Sequence, residues 1–201
     1  VLDEVKDRIA DIAQIVRSLV PIARFGFVAY RDRDDPEFLT RVQPLTYSTG
    51  KLYRFLSTLE AKGGGDWFEA IDAGLKDAVE HSGWRLGARK IIIVIGDAPM
   101  KESQLKTVVR IVERFRRQGG TVSTLDVSDQ ANPHLLEAKV GRKVSRALYR
   151  AAPMHSFLVI GEAGMGDAAT LDGEIKLTKR LITLIMGDRF ANEMQALLDI
   201  L

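Results

Sequence analysis

Apolar residues recur every three or four positions along several long segments, which predicts amphipathic α-helices. The first of these segments stops at Pro21 and the last is closed by Gly119 and Gly120, a residue type that commonly ends helices. Ser48 or Thr49 is placed to cap the start of a shorter helix. The helices predicted in this way cover residues 1–20, 49–61, 67–81 and 102–118.

Between these helices lie short apolar runs rich in β-branched and aromatic residues, which predict strands over 25–30, 90–95 and 121–127. The run from Ile91 to Ile95 shows no polar alternation, as expected for a central strand covered on both faces. Strands that alternate with helices of this length indicate an α/β fold. We therefore expect a Rossmann-like, doubly wound, mostly parallel sheet flanked by helices.

The pattern is weaker after residue 130. The run "FLVI" at 157–160 suits a strand, but the wider stretch "HSFLVIGEAG" also suits a buried helix ended by Gly164. The last stretch predicts two helices broken at Gly187–Asp188. We expect one domain over residues 1–201, with its core over about 1–130 and a less regular part over 131–201.

Composition narrows the classes of function. The chain of 201 residues is 46% hydrophobic and 28% charged, enough apolar material for a core, and its net charge of +2 gives no support for nucleic acid as a partner. The absence of cysteine excludes disulfides and thiolate zinc sites. No run is long enough for membrane insertion. The sequence starts in helical rhythm without a Met, and we expect it to be a fragment of a longer protein.

Acidic residues follow the predicted strands. Asp97 follows the strand 90–95 after one glycine, Asp32 follows the strand 25–30, and either Asp126 or Asp129 comes at the end of the strand 121–127. In parallel sheets ligands bind outside the carboxyl ends of the strands. A glycine-rich stretch, "KGGGDWFEA", precedes the helix 67–81 and allows close backbone approach to a ligand. Carboxylate oxygens in such a place favour a hard divalent cation.

These stretches together resemble a von Willebrand factor A domain. The matching pieces are "RFGFVAYRDRDD", "GGGDWFEAIDAGLKDAV", "KIIIVIGDAPM" and "GGTVSTLDVS", and they cover roughly residues 1–130. The "GGGD" and "GDAP" pieces are most similar to bacterial and α-kinase-associated members of that family. The same resemblance favours a helix over 154–163 and a short strand near 167–171.

The resemblance implies a metal-ion-dependent adhesion site at the carboxyl end of the sheet. Asp97 matches the family's ligand after its fourth strand, and Asp66 stands near the place of a threonine ligand of the second loop. The implied cofactor is Mg²⁺, or Mn²⁺ or Ca²⁺, and the implied partner is another protein that completes the ion's coordination with an acidic side chain. The expected partner-binding rim of this site consists of Gly64, Gly65, Trp67 and Asp32.

The sequence departs from the family's pattern in its first part. An Asp-x-Ser-x-Ser motif and the strand before it should precede Val1, and neither is present in the chain. We therefore expect a gap in the sheet where the first strand belongs, with possible self-association through unpaired edges. The resemblance to bacterial members also suggests a cell-envelope or extracytoplasmic location over a cytoplasmic one.

Alternative roles compete with each of these assignments. Asp97 could cap a turn, and Asp66 could be the N-cap of the helix 67–81. Asp32 could lie in a solvated loop, because "RDRDD" has the composition of an exposed loop. Trp67 could be buried against the sheet.

Three functions remain open at this point. The first is the metal-dependent protein-binding module. The second is a structural or assembly scaffold with a degenerate, metal-free site. The third is an enzyme of phosphoryl transfer or hydrolysis that uses a strand-end Asp. The chain has no P-loop, dinucleotide fingerprint or Ser-His-Asp order, and we expect no enzymatic activity.

Overall fold

A computed structural model describes residues 2–60, 68–145, 149, 152–171 and 177–187. Helices and strands alternate over most of this length, as the sequence pattern predicts. The helices are α1 (Leu2–Leu19), α2 (Thr49–Ser57), α3 (Ile71–His81), α4 (Leu105–Arg117), α5 (Pro133–Val140), α6 (His155–Ala163) and α7 (Leu177–Met186). The strands are β1 (Phe25–Tyr30), β2 (Thr40–Thr46), β3 (Lys90–Gly96), β4 (Gly120–Asp126) and β5 (Met165–Thr170).

The strands form two groups. β3, β4 and β5 make a parallel sheet with β4 in the middle, and β1 pairs with β2 in an antiparallel hairpin. The sequence pattern did not predict β2, because Pro44 interrupts it and its polar residues carry no strand signal. Gly26 allows the bulge in this hairpin, since a Cβ there would come within 2.8 Å of the Gln43 carbonyl oxygen.

Local chemistry explains why the helices form where they do. In α4 the apolar side chains Val108, Val112 and Phe115 are fully buried, while the charged ones between them face solvent. Ser48 caps α2, as predicted, by accepting a hydrogen bond from the backbone N–H of Lys51 at 3.2 Å.

Helices cover the strands in two apolar layers. One core joins α1, α2 and α7 with the end of β4, and the other joins α3, α4 and α6 with β3 and the first half of β4. β4 is almost entirely buried between them, whereas every residue of β1 and most of β3 are only half-buried.

This difference marks a gap between the two groups of strands. Among the described residues, β1 forms a backbone ladder only with β2, and β3 only with β4. The position at which the resemblance places the first strand therefore holds no strand in this part of the chain. β1 and β3 are connected instead by a side chain, described below, and by the cores on either face.

The C-terminal part confirms two predictions. Residues 155–163 are helical rather than extended, and β5 starts two residues before and ends one residue before the predicted strand 167–171. α7 ends before Gly187, whose φ of +65° suits glycine. The second helix predicted after Gly187 lies outside the described residues. Within the described ranges, no helix combines the length and apolarity needed to span a bilayer.

Candidate functional site

The carboxyl ends of β1 and β3 meet at one edge of the sheet. The Tyr30 hydroxyl at the end of β1 donates a hydrogen bond of 2.8 Å to the carbonyl oxygen of Ile95 near the end of β3. The amino ends of the two strands also meet, because Arg85, before β3, donates to the carbonyl oxygen of Ile22, before β1, at 2.9 Å; the two strands therefore run in the same direction. The loops that follow them therefore share this carboxyl edge, where ligands of parallel sheets usually bind.

Two glycines make room for the Tyr30 ring. A Cβ at Gly74 of α3 would come within 2.9 Å of the ring, and a Cβ at Gly96 would come within 2.8 Å of the hydroxyl oxygen. Burial raises the pKa of Tyr30 well above its usual range, and the nearby carboxylates of Glu69 and Asp97 raise this pKa further. The phenol is therefore a neutral hydrogen-bond donor that bridges β1 and β3.

Asp97 lies where the sequence predicts it, just beyond β3. Its side chain is exposed, and it forms no hydrogen bond or ion pair with another described residue. The proposed turn-capping role for Asp97 therefore has no hydrogen bond to support it within the described ranges. The carboxylate is available to a ligand at the edge of the sheet.

Asp126, at the end of the neighbouring strand β4, is fully buried. Its carboxylate accepts hydrogen bonds from the Ser128 N–H at 2.9 Å, the Ser128 hydroxyl at 2.6 Å and the Met154 N–H at 2.9 Å. Asn132 completes this network, because its amide nitrogen donates to the carbonyl oxygens of Asp126 and Ser128, and its amide oxygen accepts from the Leu171 N–H. Asp126 is thus a structural residue that joins β4 to α6.

The prediction of an exposed loop at "RDRDD" is wrong for its first part. Arg31 and Asp32 are only 9% and 5% exposed. The Arg31 guanidinium is held inside by ion pairs with Asp35 and Glu37, both at 3.1 Å, and by the Glu60 carbonyl oxygen at 2.8 Å. The loop folds inward because these acceptors surround the cation.

Hydrogen bonds from backbone N–H groups fix the rest of this loop. Asp35 accepts them from Glu37 and Phe38, and these bonds, with the Arg31 charge, hold the pKa of the Asp35 carboxyl below its usual range. Asp32 cannot belong to an exposed rim around a ligand, as the resemblance implied, because its side chain is enclosed.

The glycine-rich loop itself lies outside the described residues, together with Gly64, Gly65, Asp66 and Trp67. Its downstream end is described. α3 begins at Ile71 with Ala70 in the N-cap position, so the alternative of Asp66 as the N-cap of this helix is wrong. Phe68, directly after the loop, is 38% exposed and lies against Lys101.

A divalent cation at this edge would need several oxygen ligands from the surrounding side chains. The oxygen chemistry of the described residues at this edge suits a hard cation, and one buried carboxylate oxygen, Asp72 Oδ1, has no hydrogen-bond partner among them. The number of donors does not fit, however. No three His, Cys, Asp or Glu residues stand together as a ligand group within the described ranges. These ranges alone do not form a complete cation site.

Two features of this edge were not predicted from the sequence. Tyr30 and its glycine cradle were not singled out, although an isolated glycine inside a helical pattern, such as Gly74, often has a packing reason. The ion pair between Arg33 and Asp72, which ties the loop after β1 to the first turn of α3, was also missed. No local sequence signal pairs these two residues, because they are 39 positions apart.

Comparison with known proteins adds family information. The sequence pattern of the family described as von Willebrand factor type A domain matches residues 2–157, well over half of the chain. One solved structure that resembles the chain is the SpRpn10 VWA domain. It superposes with a TM-score of 0.59 over 90% of this chain and 82% of that chain, at 14% sequence identity. At that identity the likeness speaks for the fold alone, and it confirms the predicted architecture.

A second similarity is to a longer protein. The chain is 33% identical over 75 residues to an α-protein kinase, vwkA, of Dictyostelium discoideum. The match covers 37% of this chain and 12% of the kinase. The aligned part is therefore a small piece of that protein, and its kinase activity does not transfer with it.

Proposed function

Because the chain belongs to the von Willebrand factor type A domain family, whose members are generally protein-interaction modules, we propose that it binds another protein at the carboxyl edge around Asp97. The observation that supports this is the exposed Asp97 carboxylate, which no described residue engages, at the end of a strand in the parallel sheet. The carboxylate of Asp126, at the end of the neighbouring strand, by contrast accepts hydrogen bonds inside the protein.

The finer form of the proposal includes a cation. Asp97 and Asp66 are the residues that would hold Mg²⁺, or Mn²⁺ or Ca²⁺, and Gly64, Gly65 and Trp67 would form the rim around it. A bound cation would supply an open coordination position for an acidic side chain of the partner. Since the described residues offer too few ligands, further ligands must come from elsewhere.

A metal-free scaffold is the second candidate. It is favoured by the lack of a three-residue ligand group within the described ranges. In this case a partner would contact Asp97 through a cationic or hydrogen-bonding group, and its binding would not respond to cations. Catalysis by a strand-end Asp is not proposed, because Asp126 is committed to structural hydrogen bonds and Asp97 has no described base or nucleophile bonded to it.

Calorimetric titration of MgCl₂, MnCl₂ and CaCl₂ into the chain separates the two candidates. The cation-dependent form predicts saturable binding that is lost in Asp97→Ala and weakened in Asp97→Asn, because an amide is a poorer ligand for a hard cation. The matched control is Asp167→Ala on β5, which removes an exposed carboxylate two strands away. This variant should bind like the original chain.

Binding of a fluorescein-labelled polyglutamate peptide, followed by anisotropy, tests the partner. Under the cation-dependent form the peptide binds in Mg²⁺, is released by EDTA and fails to bind Asp97→Ala. Heat of cation binding that survives Asp97→Ala would contradict the assignment of Asp97. Absence of cation binding in every variant would leave the metal-free scaffold as the function of this edge.

A further inference from the structure

The opposite, amino edge of the sheet carries large side chains that folding does not bury. Leu86 is 98% exposed, Ile22 is 64% exposed and Tyr47 is 52% exposed. We call these three residues, with Arg85, the amino-edge patch. A single exposed apolar side chain needs no explanation, but three at one edge of a sheet, two of them linked through Arg85, mark a candidate interaction surface.

The fold brings these residues together from three connections. Ile22 precedes β1, Tyr47 follows the antiparallel strand β2, and Leu86 precedes β3, so all three lie at the same edge. Arg85 links them: its guanidinium donates to the Tyr47 hydroxyl oxygen at 3.0 Å and to the Ile22 carbonyl oxygen at 2.9 Å.

The patch is held in place before any partner arrives. Trp84, just before it, donates from its indole nitrogen to the Ala78 carbonyl oxygen at 2.9 Å and packs on Phe115 with ring centroids 5.0 Å apart. Gly83 and Gly87, with φ of +72° and +70°, turn the chain on either side. An ordered patch loses little entropy on binding, which favours affinity.

The connections at the amino edge carry basic residues and no acidic ones. The three connections, residues 20–24, 47–48 and 82–89, contain no Asp or Glu, and neither do the first three residues of α2, 49–51. They carry Arg24, Lys51, Arg85 and Arg89, and Arg17 of α1 lies over the Tyr47 ring at 6.0 Å. The loop after β1, at the carboxyl edge, contains four acids within residues 32–37. The amino edge therefore complements a negatively charged ligand.

Arg85 can contribute to such a ligand directly. A guanidinium has five N–H donors, and the two hydrogen bonds given above leave further N–H groups that can donate to a carboxylate. Arginine and tyrosine are also enriched among the residues that contribute most to protein interfaces.

We propose that the amino-edge patch is a second protein-binding surface, which takes an extended acidic segment of a partner with a carboxylate on Arg85 and a large apolar side chain against Leu86. Nucleic acid fits less well, because Leu86 and Ile22 give bases no aromatic face on which to stack and Arg17 already lies over the Tyr47 ring. The surface lies at the edge opposite Asp97, so the proposal does not depend on the function proposed above.

The probe is a synthetic peptide that alternates glutamate and leucine, labelled with fluorescein and followed by anisotropy in EDTA. EDTA removes any cation-dependent binding at Asp97 from the measurement. We expect saturable, salt-sensitive binding that weakens at least about tenfold in Leu86→Ser and in Arg85→Gln. Matched peptides with lysine for glutamate, or serine for leucine, should bind much more weakly.

Two control variants locate the effect. Leu158→Ser removes another exposed leucine, on α6, and Asp97→Ala alters the other edge; both should bind the peptide like the original chain. Leu86 and Arg85 lie at the surface, and thermal melts should show that their variants remain folded.

Several results would overturn the proposal. One is peptide binding that is unchanged in Leu86→Ser and Arg85→Gln. Another is tighter binding of single-stranded DNA, or of vesicles rich in phosphatidylserine, than of the peptide. A third is a dimer in sedimentation equilibrium that Leu86→Ser dissociates, because the patch would then be occupied by a second copy of the chain.

Discussion

Asp97 and Asp126 lie at the ends of neighbouring strands, yet the first carboxylate is exposed and the second is buried. β3 and β4 are neighbouring parallel strands in which Gly96 pairs with Asp126. Both aspartates therefore lie at the carboxyl edge of one sheet. Asp126 is fully buried and accepts three hydrogen bonds, whereas Asp97 is exposed and accepts none from a described residue. A strand-end aspartate is therefore a candidate for ligand binding only when the protein itself leaves its oxygens unbonded.

The largest effect is expected from Asp126→Ala. This change leaves two backbone N–H groups and the Ser128 hydroxyl without their acceptor inside the protein. We expect the free energy of unfolding to fall by about 3 kcal/mol, measured by denaturation in urea. Asp126→Asn, which retains one acceptor oxygen, should cost less. A loss below about 1 kcal/mol for Asp126→Ala would show that the network contributes little to stability.

The difference between these aspartates could be predicted only in part from sequence. The positions of both at the carboxyl edge followed from the apolar runs before them. Burial of Asp126 did not, because one of its donors, the Met154 N–H, is 28 residues away in the sequence and reaches it only through the packing of α6 on β4. The start of α6 was itself ambiguous in the sequence.

The burial of Arg31 in the loop after β1 could not be predicted from the local sequence either. "RDRDD" has the composition of a solvated segment, and its local pattern holds no sign that Arg31 would turn inward. The arginine is buried because acceptors from Asp35, Glu37 and Glu60 converge on it. The helix pattern, in contrast, was predictable for α1, α2 and α4, whose apolar faces repeat locally and do not depend on distant partners.

Tyr30→Phe should have an intermediate effect, since Tyr30 contacts the strand that ends at Asp97. Loss of its hydrogen bond to the Ile95 carbonyl oxygen should lower the free energy of unfolding by about 1 kcal/mol at neutral pH. The ring itself stays in its cradle between Gly74 and Gly96, so the packing should survive. No change in urea midpoint would mean that water replaces the bond without loss.

The contribution of Tyr30 should also depend on pH. Its pKa is raised in the folded chain, so the folded state keeps the phenol proton after an unfolded tyrosine, with a pKa of about 10, has lost it. The stabilisation is complete below about pH 10 and is lost as the pH rises toward the folded-state pKa. The stability difference between the original chain and Tyr30→Phe should therefore shrink at alkaline pH. A difference that is constant with pH would contradict the raised pKa.

The smallest effect on stability is expected from Asp97→Ala. An exposed side chain that bonds to no described residue should change the free energy of unfolding by no more than about 0.5 kcal/mol. Its negative charge is one of the causes that raise the pKa of Tyr30, and removing it should let Tyr30 ionise at a slightly lower pH, measured by absorbance near 295 nm. A large loss of stability would mean that residues outside the described ranges bond to Asp97 and that it, like Asp126, serves the fold. A small loss of stability in Asp97→Ala, together with loss of ligand binding, would show that Asp97 serves binding. Asp126 would then be the aspartate that serves the fold.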